Sequence, residues 1–216
     1  MQAQPTAFDE LRSLGVPSVP AVAVGERAVH GWNPPAYAAL LRVPYTAAAK
    51  FAPRELWTKL DRVLACTARL LAEIPDRDLD HIPPERARTV RDLGYHVFRL
   101  SLGFVEAMQH GELPHEWLGD KAPAEMHDGH ALASYGAQVR TRLEDWVRSA
   151  DEREYARTIR VYYGPQSGHD LFERTAWHAG QHLRQLYVLA ERLKIRPPEP
   201  LPLDALAGLP LPEAVW

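Results

Sequence analysis

The chain has 216 residues, with 25 basic and 28 acidic side chains and a formal net charge of −3 at pH 7. Its 46% apolar and 25% charged residues are typical of a folded globular protein rather than a disordered chain. No uninterrupted apolar run approaches the roughly eighteen residues of a membrane span, and the N-terminus MQAQPTAFDELRS lacks the pattern of a secretory signal. We therefore expect a cytoplasmic protein with no membrane partner.

Charge and cysteine content exclude further classes of protein. Because no run is rich in Lys and Arg, we expect no nucleic-acid partner. The one cysteine, Cys66, can form neither an internal disulfide nor a CxxC redox pair. It lies within an apolar helical pattern, where a lone cysteine is typical of a small core residue. Any metal must then be bound mainly by carboxylates and by the ten histidines.

Frequent prolines distinguish residues 1–50 from the rest of the chain. We predict these elements there: a helix over 6–14, a strand over 19–24, a turn at Gly25-Glu26, a second strand, and a helix over 34–42 with Asn33 as its N-cap. An isolated hairpin is marginally stable in water. This α-β-β-α unit must therefore pack on the rest of the chain or on a partner.

Residues 51–195 carry four amphipathic patterns of roughly twenty residues each. They predict helices over 53–74, 89–109, 128–149 and 170–193. Thr89 and Asp92 have the spacing of a capping pair, and Gly111 follows the second helix. The fold class predicted is mainly α, an antiparallel four-helix bundle preceded by the small α-β-β-α unit. The Pro- and Leu-rich residues 196–216 are predicted to lie extended along the bundle surface.

The fourth helix carries two histidines on its apolar face. His178 and His182 are four residues apart, and the apolar stripe from Leu171 to Leu193 passes through both. His96 lies on the apolar stripe of the second helix. A single inward histidine is more often a core residue bonded to a carbonyl or carboxylate. Three histidines on adjacent helices can instead share one cation.

The residues around the paired histidines narrow the chemistry. Ala179 stands where an HExxH metalloprotease would carry its glutamate, and neither histidine-bearing helix has the ExxH pattern of a di-iron bundle. Three neutral imidazoles suit Zn(II), Ni(II) or Fe(II) equally well. Gly180 costs about 1 kcal/mol of helix stability relative to Ala. We interpret it as space for a neighbouring helix or a bound ligand.

The sequence RDLGYHVFRL around His96 and the sequence ERTAWHAGQHLRQL around His178 and His182 resemble the DinB-like superfamily. This superfamily includes metal-dependent thiol transferases and the mycothiol-dependent maleylpyruvate isomerase. The resemblance covers about residues 52–195. It implies a four-helix bundle, often a homodimer, in which His96, His178 and His182 form the metal triad.

Residues 13–41 are similar to the second half of a glutaredoxin. That likeness implies that Val19 and Pro20 form the Val-Pro element whose cis peptide faces a bound low-molecular-weight thiol. The part of a glutaredoxin that carries the catalytic cysteines is absent. Two alternatives follow for this unit: it is a structural cap on the bundle or dimer, or Val19 and Pro20 help to hold a thiol cofactor near the metal.

The sequence supports two functional hypotheses. The first is a divalent-metal-dependent thiol transferase or isomerase that activates a low-molecular-weight thiol toward a small-molecule electrophile. The second is a non-catalytic stress-response or interaction protein whose metal site is structural. Three unrelated core histidines are a third interpretation. Four further residues are either packing residues or could line the site: Trp57, Tyr95, Glu173 and Trp177.

Overall fold

The structure is a computed structural model that describes residues 5–16, 21–31, 33–46, 49–119 and 121–216. Its N-terminal unit consists of α1 (Pro5–Ser13), β1 (Ala21–Val24), β2 (Arg27–His30) and α2 (Pro34–Leu41). The two strands pair as an antiparallel hairpin. Asn33 caps α2 by accepting a hydrogen bond from the Ala36 amide, as predicted. The predicted α-β-β-α order is thus confirmed.

Four long helices form the bundle: α3 (Pro53–Ala72), α5 (Val90–His110), α7 (Gly129–Ser149) and α9 (Gly168–Arg192). The remaining elements are short: α4 (Asp76–Leu79), β3 (Glu112–Leu113), α6 (Glu116–Gly119), α8 (Glu152–Ala156), β4 (Thr158–Val161), β5 (Gln166–Ser167) and α10 (Leu203–Leu206). The predicted four-helix bundle is confirmed. No described helix combines the length and the apolar composition that a membrane crossing requires.

Side-chain caps determine where three bundle helices begin. Thr89, Asp128 and Ser167 each accept a hydrogen bond from the backbone amide three residues later. A cap of this kind contributes about 1 kcal/mol. The Asp92 carboxylate, the expected partner of Thr89, accepts a hydrogen bond from the Ala122 amide at 2.9 Å and so connects α5 to the loop before α7.

The first two bundle helices, α3 and α5, make few contacts with each other. Both α3 and α5 pack mainly against α7 and α9. Along the α5–α9 interface, the ring of Phe104 stacks on Phe172 and the ring of His96 approaches that of His182. Since the residue numbers run in opposite directions, these two helices are antiparallel. The pairing places His96, near the start of α5, beside the middle of α9.

The loops after α5 and α7 form a small mixed sheet that the sequence did not predict. In this sheet β3 pairs in parallel with β4, and β4 pairs antiparallel with β5. Each strand has only two to four residues, which is too few for alternation of apolar and polar residues to be recognised. The sheet covers the end of the bundle where the N-terminal unit docks.

The N-terminal unit contacts this sheet region through a close backbone approach at Gly31. Gly31 has a φ of +84°, and a Cβ at this position would lie 2.0 Å from the carbonyl oxygen of Tyr163. Only a residue without a side chain can make this contact, because both the left-handed conformation and the spacing exclude a Cβ. The unit therefore does pack on the rest of the chain.

We expect Gly31→Ala to release the N-terminal unit while the bundle stays folded. Backbone strain costs about 1–3 kcal/mol, and the clash with Tyr163 adds to it. Limited proteolysis should then cleave residues 1–50 faster and leave the rest protected. Gly25→Ala is the matched control, because Gly25 also has positive φ (+58°) but nothing lies within 4 Å of its Cβ position. Equal cleavage of the two variants would contradict the docking role of Gly31.

The C-terminal residues pack on α3 and α9, and they are less extended than predicted because they include the turn of α10. Glu199 forms ion pairs with both Arg62 and Arg69 of α3. Further along, Lys59 donates hydrogen bonds to the carbonyls of Asp204 and Ala207. We call residues 199–216 the C-terminal strap.

Candidate metal centre

The three histidines converge where α5 meets α9. The ring centroid of His96 lies 5.6 Å from that of His178 and 5.0 Å from that of His182, and the two α9 rings are 4.6 Å apart. One ring nitrogen from each histidine lies within 4.8 Å of the others. Among the described residues, no cysteine or carboxylate joins this cluster. His96 and His182 are buried, whereas His178 is partly exposed.

A hydrogen-bond relay orients the ring of His182. Its Nδ1 lies 2.8 Å from Oε1 of Gln185, and Nε2 of Gln185 donates to the Val215 carbonyl at 2.8 Å. Because the Gln185 amide nitrogen is already used by that carbonyl, its oxygen faces the ring and accepts a hydrogen bond from Nδ1–H. The lone pair of His182 therefore lies on Nε2, where a metal ligand needs it.

Two buried imidazole nitrogens have no hydrogen-bond partner among the described residues. They are Nδ1 of His96 and Nε2 of His182. Leaving a buried polar atom unpaired costs about 1–3 kcal/mol, so native proteins rarely retain two such atoms side by side. A shared cation would satisfy both, and the residues present fit a metal ion.

Burial keeps the three imidazoles neutral at pH 7. It is the main reason that the pKa of His96 falls to about 2 and the pKa of His182 to about 4. Burial also lowers the pKa of His178 well below its usual value, and the nearby His182 and His96 lower it further. Hydrogen bonds with Leu118 and Gln185 oppose these shifts at His96 and His182 without cancelling them. Neutral imidazole is the form that binds a metal ion.

Other residues considered from the sequence lie in different surroundings. Val19 and Pro20 lie outside the described residues. Tyr95 stacks on Tyr135 with ring centroids 5.3 Å apart, and Trp57 is partly buried against the core. Glu173 accepts a hydrogen bond from the Phe51 amide. The ring of Trp177 lies 5.6 Å from that of His178, so Trp177 contacts the cluster.

Cys66 is a core residue, as its position in an apolar pattern predicts. Its side chain is fully buried, and Sγ lies 2.9 Å from the hydroxyl of Tyr187. Burial raises the pKa of the Cys66 thiol, so it remains protonated at neutral pH. A thiolate nucleophile would have to come from another molecule.

Gly180 leaves room for a neighbouring short helix, which is one of the two predicted interpretations. A Cβ at Gly180 would lie 2.8 Å from Leu206 and 3.7 Å from Leu209 and Leu211. Leu206 ends the short helix α10 within the C-terminal strap, so this helix and the strap residues after it fill the space beside Gly180. Glycine is needed here because the strap crosses α9 at this point.

Sequence reasoning missed Gln185 and the strap carbonyl that fixes its amide. A local signal existed for Gln185, because it follows His182 by three residues and so lies on the same inward face of α9. No local signal indicated Val215, which is thirty residues away along the chain. Only the fold brings that carbonyl to the histidine cluster.

Fold and site together define a four-helix-bundle protein whose three-histidine cluster has the ligands of a metal site. The sequence profile described as the DinB superfamily matches residues 59–186. Since this match spans more than half of the chain, the protein belongs to the DinB superfamily. The extra α-β-β-α unit precedes the matched region. No curated protein matches the chain.

Two solved structures from Bacillus subtilis share the fold. The DinB-like protein YjoA is 17% identical, with a TM-score of 0.52 over 65% of this chain and 92% of its own. YfiT, described as a probable metal-dependent hydrolase with an unusual four-helix bundle topology, is 14% identical, with a TM-score of 0.52 over 71% of this chain and 96% of its own. At these identities the likeness shows the fold alone.

Proposed function

We propose that this protein is a divalent-metal-dependent enzyme that transfers a low-molecular-weight thiol to a small-molecule electrophile. His96, His178 and His182 are the proposed metal ligands. The observation that carries the proposal is the pair of buried imidazole nitrogens, on His96 and His182 of one cluster, that have no hydrogen-bond partner among the described residues. Zn(II), Ni(II) and Fe(II) all suit three neutral imidazoles.

The chain's own residues would prepare the site for this chemistry. Burial holds the imidazoles neutral, and Gln185 holds His182 in the tautomer that leaves Nε2 free. A divalent ion, when bound, lowers the pKa of a coordinated thiol and so supplies a thiolate at neutral pH. In the transfer the sulfur–carbon bond forms while a carbon–halogen or epoxide carbon–oxygen bond breaks. With a halide, the proton of the thiol and the halide leave to solvent. With an epoxide, the opened ring oxygen takes up that proton and becomes a hydroxyl group.

Two alternatives are less well supported. YfiT is described as a probable metal-dependent hydrolase, and metalloproteases of the HExxH class place a glutamate beside the activated water as general base. Among the described residues no carboxylate joins the cluster, and Ala179 occupies the place of the HExxH glutamate. A purely structural site would be closed to solvent, whereas His178 is partly exposed.

The homodimer implied by the family remains a prediction, which sedimentation analysis would test.

The test is a transfer assay with protein purified without a histidine tag and loaded in turn with Zn(II), Ni(II) or Fe(II). The electrophile is 1-chloro-2,4-dinitrobenzene, and the thiols are cysteine and glutathione. We expect metal-dependent product formation that falls at least about 100-fold in His182→Ala, because metal activation supplies several kcal/mol of the rate enhancement. His130→Ala, an exposed histidine of α7, is the control and should keep full activity.

Two results would overturn the proposal. One is an equal rate of thiol transfer by His182→Ala and the unchanged protein. The other is metal-dependent ester hydrolysis that needs no thiol, which would place the protein among hydrolases instead.

A further inference from the structure

A cavity of about 650 Å³ lies beside Arg174 and Trp177 of α9, and none of the three histidines is among the residues that line it. Its walls come from the start of α2, the segment before α3, the first turns of α9 and the C-terminal strap. Trp177 forms part of the wall, and its ring also lies 5.6 Å from that of His178. A ligand in this cavity would therefore contact Trp177, whose ring packs on His178.

Arg174 is the one cavity-lining cation that forms no ion pair or hydrogen bond with a described residue. The other, Lys50, is paired with Asp170. The Arg174 guanidinium lies 4.1 Å from the ring centroid of Tyr163 and 5.3 Å from that of Trp177. Stacking on these rings restricts the side chain but leaves its N–H edges free to bind a ligand. The Arg174 guanidinium is therefore oriented to bind a planar anion such as a carboxylate.

The surroundings of the histidines are positive as well. Arg174 and Arg86 act on His178, and Arg86 and Arg88 act on His96 and His182, each favouring the neutral imidazole. Asp92 partly offsets the charge of Arg88. Arg86 and Arg88 also form no ion pair with a described residue. A divalent ion would add to this positive charge, so an anionic ligand would be attracted.

We propose that the cavity binds an organic anion whose carboxylate is held by Arg174, with its carbon skeleton against Trp177 and the prolines of the wall. Guanidinium and carboxylate match as a pair of parallel hydrogen bonds. Two carboxylates also line the cavity: Asp170 is paired with Lys50, and Glu173 accepts a hydrogen bond from the Phe51 amide, which leaves Arg174 as the lining charge without an ionic or hydrogen-bond partner among the described residues. That this anion is a substrate of the thiol transfer rests on the proposed function. The binding of the anion in the cavity does not depend on the proposed function.

The test follows the indole N–H resonance of Trp177 by NMR while benzoate is added to metal-free, full-length protein. The resonance is identified by its loss in Trp177→Phe. We expect a saturable shift with benzoate and none with the same concentration of the neutral analogue benzamide. Arg174→Gln should weaken benzoate binding at least about tenfold. Arg174→Lys keeps the charge and should bind more tightly than Arg174→Gln.

The matched control is Arg142→Gln, an exposed arginine of α7 that forms no ion pair with a described residue. It should bind benzoate as the unchanged protein does. An unshifted Trp177 resonance, or equal affinity in Arg174→Gln, would overturn the anion site and leave the transfer assay unaffected. Because the protein is metal-free here, benzoate binding would equally stand if the transfer assay failed.

Discussion

Protein purified without a histidine tag should contain one equivalent of a divalent metal, and His178→Ala should lose it. Structural zinc sites release about 10–16 kcal/mol from four ligands, so one ligand accounts for about 3 kcal/mol, or about 100-fold in affinity. Metal content by plasma mass spectrometry after dialysis measures the loss. Variants of His96 and His182 should behave in the same way, because each ring contributes one nitrogen to the cluster.

Metal binding should also stabilise the folded protein. An ion that binds only the folded state adds about 2.7 kcal/mol at a concentration 100 times its Kd, and this gain should disappear in His178→Ala. His130→Ala, with an exposed side chain on α7, should keep both the metal and the gain. Retention of a full equivalent by His178→Ala would refute the triad. The third interpretation, three unrelated core histidines, predicts instead that the unchanged protein contains no metal.

Gln185→Leu should lower metal affinity about 10- to 100-fold without removing a ligand. The variant deletes the acceptor that holds the proton of His182 on Nδ1, so the tautomer with its lone pair on Nε2 is no longer favoured. Competition with a chromogenic chelator measures the affinity. In metal-free protein, histidine ¹⁵N spectra should show a single Nδ1–H tautomer for His182 and a mixture in the variant.

Gln181→Leu is the matched control for this experiment. Its amide donates to the carbonyls of Ala214 and Val215 at 3.2 and 2.7 Å, so it anchors the same end of the strap. The Gln181 side chain has no hydrogen bond with a histidine of the cluster. We expect its loss to loosen the strap and leave the His182 tautomer unchanged. An equal fall in affinity in both variants would show that the strap matters, and would exclude the orienting role of Gln185.

Local sequence patterns determined the helices and the direction of their histidines. The four bundle helices begin and end within two residues of their predicted limits, because amphipathic periodicity and capping residues act over one or two turns. The same periodicity placed His178 and His182 on one inward face of α9 and His96 on the inward face of α5. Asn33 and Thr89 were likewise recognisable as caps from their immediate neighbours.

Only the tertiary structure decided what meets these histidines. The packing of α5 against α9 places His96 near His182, and the return of the strap brings Val215 to Gln185 and Leu206 to Gly180. The contact of Gly31 with Tyr163 joins segments more than a hundred residues apart along the chain. Such contacts depend on how whole elements pack, and no periodicity within a single element encodes them. The sequence by itself therefore determined the candidate ligands, and the fold decided which groups contact them.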